Sequence, residues 1–338
     1  MFAFIQLLKM SLTILKAGIL DTIQDLGRMG YQHLGINPTG AMDKYAASIS
    51  NAIVGNSLNE AVLEIHFPAA TILFETATMI AISGANFSAT INKEPIPINT
   101  QVFVNKNTVL QFNSAQNNSI VYLAVKGGFK IDTWKNSCST NLLAQVGGYN
   151  GRKLLKNDTL EFKTEPSFKN ISGDYKIAPW KVNENWDADF KNELLVLPGN
   201  EWDWLSKEEQ QKFLTSKFSI GTNSNRMGFQ LKGPALHSHT QSELISSAVC
   251  FGTIQLLPDG QLIILMADHQ TTGGYPRIGN IISAHLSALA QMKPPDHLFF
   301  SLTDHSVAEN LFLKQQQHLR QLQISCTLKL ENFMLENN

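Results

Sequence analysis

The 338 residues carry 27 Lys plus Arg against 28 Asp plus Glu, a formal net charge of −1. That balance gives no overall basic field and argues against nucleic acid as a partner, while the length allows two packed units. Cys138, Cys250 and Cys326 are too far apart for a ligand spacing or a disulfide framework and fit a reducing cytoplasm. His237 and His239 have no third ligand at a familiar spacing, so no metal site is expected.

Residues 1–9 are apolar but too short to span a bilayer, and they lack the charge and cleavage pattern of a leader. They are expected to be a dispensable arm or the product of an early start codon, with no membrane partner. Leu12-Thr13-Ile14-Leu15 reads as a strand. Asp21 to Gly40 reads as a long, specifically folded connection, because its glycines among polar groups exclude a helix interior. Within it Asp25 and Arg28 could pair with each other, or the arginine fork could face a carboxylate or phosphate.

Met42, Tyr45, Ala46, Ile49, Ala52 and Ile53 predict a helix ended by Gly55-Asn56. Asp43 either complements its first turn or serves a site. In the strand Ala61 to Phe67, Leu63, Ile65 and Phe67 share one face and leave Glu64 and His66 on the other. That pair suits acid and base work or a polar ligand, and equally a solvated face. From residue 74 to 123 short, evenly spaced strands point to a sandwich or barrel. The glycine pairs at Gly127-Gly128 and Gly147-Gly148 are not nucleotide phosphate loops.

Residues 164–192 read as a connection between subdomains, followed by the strand Leu194 to Leu197. Ser206, three residues before Glu209, predicts a capped helix to Leu214. Arg226 lies between a polar turn and a strand, where a fixed arginine can reach a site. Residues 261–292 offer a buried strand and then a polar loop holding Asp268, Gln270, Thr271, Thr272, Gly273, Gly274 and Tyr275. The apolar Ile278, Ile281, Ile282, Leu286, Leu289 and Met292 predict a short amphipathic helix after it. A docking helix is expected over residues 306–322, with Ile324 to Leu330 strand-like or extended.

Thr22-Ile23-Gln24-Asp25-Leu26-Gly27-Arg28, Gly40-Ala41-Met42-Asp43, Leu63-Glu64, Arg226-Met227-Gly228, Gly252-Thr253-Ile254-Gln255 and Gln270-Thr271-Thr272-Gly273-Gly274-Tyr275-Pro276 together resemble the biotin-dependent carboxyltransferase, or allophanate hydrolase subunit 2, family. The resemblance covers residues 11–304. Asn225, where the pattern usually has an acidic residue, and His285, in place of a frequent aspartate, depart from it.

The resemblance implies a mainly β chain of two cyclophilin-like β-barrel subdomains with short helices, at about 11–185 and 186–304, and a tail at 305–338. It also implies a subunit of an ATP-dependent 5-oxoprolinase, which opens 5-oxo-L-proline to L-glutamate together with a subunit 1-type chain and a third subunit. ATP with Mg enters at the level of that complex. The enzyme alternative is a carboxyltransferase-type subunit of a biotin-dependent urea or amide system, and the non-enzyme alternative is a regulator binding a kinase-inhibitor partner. Glu64, Asp25, Arg28 and Arg226 are the expected catalytic groups. Asp43, His66, Gln270, Thr271, Thr272, Gly273, Gly274 and Tyr275 are the expected substrate contacts, and these groups are expected to converge on one cleft.

Overall fold

The computed structural model describes residues 10–164, 171–186, 193–240 and 244–337, with side chains described up to residue 333. The expected arm at residues 1–9, and part of the connection at 164–192, lie outside them.

The first unit opens with β1 (Ser11–Lys16), β2 (Thr22–Gln24), α1 (Lys44–Ile53), β3 (Val62–His66), β4 (Thr71–Phe74) and β5 (Thr78–Asn86). It continues with β6 (Ala89–Ile91), β7 (Glu94–Pro95), β8 (Gln101–Val104), β9 (Thr108–Phe112), β10 (Asn117–Val125), β11 (Thr159–Glu161) and β12 (Tyr175–Ile177). These strands make two six-stranded antiparallel sheets, ordered β11-β1-β4-β9-β6-β7 and β12-β8-β5-β10-β3-β2. Period-2 alternation puts Leu63, Ile65, Ile80, Ile82, Val121 and Leu123 into a core shared with Leu12, Ile14, Ile72 and Phe74. The opposite face of the second sheet carries Val62, Met79, Ala81, Tyr122 and Ala124, covered by α1 and by the second unit.

The second unit holds β13 (Glu193–Pro198), α2 (Lys207–Thr215), β14 (Phe218–Ile220), β15 (Gly228–Lys232), β16 (Ser247–Ala248), β17 (Thr253–Leu256) and β18 (Leu262–Leu265). After β19 (Thr272–Gly273), β20 (Arg277–Ile281), α3 (Leu286–Ala290) and β21 (His297–Leu302), the chain ends in α4 (His305–Asn337). Seven strands close a barrel in the order β13-β20-β17-β18-β15-β14-β21, sealed by the parallel pairing of β13 with β21. Its interior includes Val196, Phe218, Phe229, Ile254, Ile264, Ile278 and Phe300.

Among the described residues one barrel is closed, so the expectation of two cyclophilin-like barrels in a mainly β chain is corrected to a mixed α/β fold with one barrel. The edge strands of the first unit explain the difference. β7, β11, β2 and β12 are two or three residues long, and Pro95 has no N–H for a ladder, so the two sheets stay open.

Two local readings are also corrected. Residues 277–281 are strand β20, not the start of a helix: Ile278 and Ile281 stand at a helical interval, but pairing with β13 and β17 draws the segment into the barrel and buries them on opposite faces, and helical turns begin only at Ser283, leading into α3. Residues 324–330 are helical. Gln315, Leu319, Leu322, Cys326, Leu330 and Phe333 recur at intervals of three and four, and this stripe packs on α1 and the sheet. Gln315 Nε2 donates to Ala284 O at 3.0 Å, Gln323 Nε2 to Asn56 O at 3.2 Å, and Phe333 stacks on Phe103 at 5.2 Å, so α4 straddles both units. No helix among the described residues is long and apolar enough to cross a membrane.

Candidate functional site

Strand β3 sends Glu64 away from the first core into the seam between the units, where it is fully buried. Its Oε2 accepts from Met42 N at 2.8 Å and from the Tyr122 hydroxyl at 2.7 Å, while Oε1 accepts from Arg226 Nη1. Arg226 is also buried, and its fork donates through Nε and Nη2 to Asp268 at 2.7 and 3.0 Å and through Nη2 to Gly40 O at 2.7 Å. One guanidinium therefore joins a strand of the first unit, its glycine turn and the turn after β18. Burial works against the charge, but Asp268 and Glu64 outweigh it and hold the Arg226 pKa above the usual arginine value.

Asp43 is the N-cap of α1, with Oδ1 accepting from Ala46 N at 2.9 Å. The same carboxylate reaches across the seam, accepting from Ser287 Oγ at 2.6 Å and Gln291 Nε2 at 2.8 Å. Capping and joining the units are thus one arrangement. Burial pushes the Asp43 pKa up despite these donors.

His66, two residues beyond Glu64 on the same face, packs its Nδ1 2.8 Å from Leu20 O. A carbonyl can only accept, so Nδ1 carries a proton, and in the neutral ring Nε2 keeps its lone pair. Burial is the largest influence on this ring and holds its pKa below the usual histidine value, against the opposing pull of Glu64. His66 lines a cavity of about 270 Å³ in the seam, together with Ser119, Ser224, Asn225, Arg226 and Lys293 over a floor of Met42 and Phe229. A larger groove of about 840 Å³ runs past Asp43, Glu184, Gln291 and His297, but the Asp43 oxygens on its wall are already taken by protein donors.

Asp25 and Arg28 sit in a separate cradle. Asp25 accepts from Gly27 N, Ser137 Oγ, Cys138 N and Ser139 Oγ at 2.5–2.8 Å. Arg28 donates to Thr39 Oγ1 and Ser139 O, both at 2.6 Å, and stacks on Trp134 at 4.8 Å. Burial lowers its pKa. The turn is tight enough to demand glycine: Gly27 and Gly40 have φ of +99° and +101°, and a Cβ on Gly40 would lie 2.9 Å from Gly27 Cα.

Residues 270–275 start from Asp268, whose backbone carbonyl accepts from Asn37 Nδ2 at 3.1 Å. From there the segment runs outward: Gln270, Thr272, Gly274 and Tyr275 are exposed, Thr271 and Gly273 half-buried, and β19 pairs with β16. These residues are not among those lining the seam cavity. The structure brings Glu64, Arg226, Asp43 and His66 together at the seam and leaves Asp25, Arg28 and residues 270–275 outside it. Sequence reasoning did not single out Tyr122, Ser287, Gln291 or Lys293. Only Tyr122 carried a signal, through its alternation with Ile120 and Ala124.

Asp21 supports His66 from behind and is itself fully buried, with His66 N donating to it at 3.4 Å and Gly18 N at 3.1 Å. Burial raises its pKa from 3.8 to about 7. The folded value lies above the unfolded one, so the stability this group contributes is full below pH 3.8 and is lost as pH rises through about 7. Asp21→Asn is an uncharged isostere of the protonated carboxyl, so the unfolding free energy of wild type relative to it is expected to fall between about pH 4 and 8, and parallel curves would refute the assignment.

The chain is 34% identical over 301 residues to a 5-oxoprolinase subunit of Haemophilus influenzae, covering 89% of this chain and 94% of that protein. It is 34% identical over 321 residues to the corresponding 5-oxoprolinase subunit of Escherichia coli, covering 95% and 100%. The crystal structure of the Kluyveromyces lactis urea carboxylase superposes with a TM-score of 0.86 at 26% identity, over 94% of this chain and 30% of that one. A family model described as carboxyltransferase domain, subdomain A and B, matches residues 34–302, and the chain belongs to that carboxyltransferase-domain family.

Proposed function

We propose that this chain is a carboxyltransferase-type subunit of a composite amide-processing enzyme, and that its seam cavity receives the amide group of a small substrate. The observation that carries the reading is the neutral His66 ring, with Nε2 unpartnered among the described residues, in a cavity that also presents Arg226 and Lys293. An imidazole held in this tautomer can accept a proton from a substrate N–H or from water, while the cations polarise a carbonyl oxygen. Glu64, Asp43 and Asp268 hold that arrangement in place and contribute no free oxygen to it, since the protein's own donors occupy them.

In this reading ATP with Mg enters at the level of the assembled complex. The family model and the urea carboxylase likeness support a biotin-dependent urea or amide reaction. A second reading, ATP-dependent opening of the 5-oxo-L-proline lactam, is favoured by near full-length matches to the two bacterial 5-oxoprolinase subunits. Both need a subunit 1-type partner chain, and the lactam reading needs a third subunit.

The test is reconstitution. The chain is combined with its partner chains, and glutamate formation from 5-oxo-L-proline and carboxylation of urea are followed with each component omitted in turn. One activity is expected to require this chain and to be lost without it. Full activity of both kinds in its absence would end the proposal.

A further inference from the structure

A second cavity, of about 380 Å³, lies between α1, α3 and α4, away from His66. Its walls are mostly apolar, with Met42, Leu58, Phe251, Leu286, Phe312 and Leu319, and include serines and glutamines such as Ser48 and Gln316. Lys44, the first residue of α1, is the one charged side chain among the residues lining it. The ammonium has no hydrogen-bond or ion-pair partner among the described residues. The nearby charge of Asp25 is already held by four protein donors, and His269 feels Lys44 only through space.

This placement is electrostatically unfavourable twice over. A cation in the first helical turn opposes the helix dipole, and the half-buried ammonium loses part of its water while the charge of Asp25 offsets only some of that cost. Burial accordingly pulls the Lys44 pKa from 10.5 to about 8. A methionine would fill the same space at lower cost, so an anionic group entering from outside is the natural complement of the ammonium. The volume falls within the range of about 300–1,000 Å³ usual for small-ligand sites.

We propose that this cavity binds a small organic monocarboxylate with an apolar body, its carboxylate paired with the Lys44 ammonium and its body against Leu286, Phe312 and Leu319. The site is distinct from the seam cavity and does not depend on the reaction proposed there.

The test uses octanoate as probe and 1-octanol as its uncharged match, titrated calorimetrically into the full chain as wild type, Lys44→Met and Lys44→Arg. Octanoate is expected to bind wild type saturably. Octanol on wild type, and octanoate on Lys44→Met, are expected to bind at least about tenfold more weakly, the effect of one hydrogen bond to a charged group. Lys44→Arg should keep most of the affinity. Circular dichroism and melting temperature establish that each variant is folded; were Lys44→Met to misfold, the octanoate-to-octanol ratio on wild type decides alone. Equal binding of acid and alcohol, undiminished octanoate binding by Lys44→Met, or no saturation up to millimolar probe would each overturn the proposal. So would absent probe binding combined with a Lys44→Met defect in partner-chain assembly, which would make the cavity a protein contact.

Discussion

Replacing Arg226 by methionine is expected to lower the unfolding free energy by about 3–5 kcal/mol, the cost of breaking a buried ion network from one side. The guanidinium is buried among Glu64, Asp268 and Gly40 O, and its removal leaves two carboxylates out of water without their cation. Arg226→Lys is expected to recover only part of the loss, because an ammonium cannot reproduce a fork that addresses three groups from different elements. The triple variant Arg226→Met, Glu64→Gln, Asp268→Asn removes the stranded charges and is expected to regain at least half of it. Urea denaturation at pH 7 checks the series. A loss below about 1 kcal/mol for Arg226→Met, the range of an exposed pair, would show that this network does not hold the seam.

Much of the seam was legible because local patterns carried it. Leu63-Glu64-Ile65-His66 alternates on β3, and both helix caps, Asp43 and Ser206, accept the backbone N–H three residues on, at Ala46 and Glu209. What was not legible depends on distant partners. Asp25 is held by Ser137, 112 residues away, and Arg28 by Ser139, 111 residues away, so neither could be told from a ligand-facing group by its own neighbourhood. Barrel closure rests on the pairing of β13 with β21, which no single segment encodes, whereas the first unit's short edge strands leave its sheets open. The stripe on α4 was read only as far as residue 322, because Gln315 and Cys326 occupy positions where a periodic reading looks for aliphatic residues. Tertiary packing decided these cases.

Hydrogen bonds across the seam also fix how the two units meet. Gln291 of the second unit accepts through Oε1 from Ser119 N and Ile120 N, both at 3.0 Å, and donates through Nε2 to Ile120 O at 3.1 Å. Ser119 and Ile120 line the same cavity as His66 and Lys293. Packing the units therefore sets the cavity wall, and a rigid wall is what the proton transfer proposed for His66 would require.

His66→Asn is expected to lower kcat of the reconstituted complex by about 10²- to 10⁴-fold, the range for loss of a general base, with little change in stability. The choice of asparagine follows from geometry: its amide nitrogen takes the place of Nδ1 and can keep donating to Leu20 O, while nothing replaces the Nε2 lone pair. His66→Gln, which places a polar atom near the Nε2 position but cannot take up a proton, is expected to be equally impaired. The pH profile separates catalysis from support. A base must be neutral to act, and burial sets the His66 pKa below 6.5, so wild-type kcat/KM is expected to hold through neutral pH and fall only on the acid side of that value. This acid limb should disappear in His66→Asn. Melting temperatures and binding of the partner chain are expected to match wild type, which would exclude a packing defect as the cause. Near wild-type turnover by His66→Asn, or an unchanged acid limb, would remove His66 from the chemistry and leave it as a wall of the cavity.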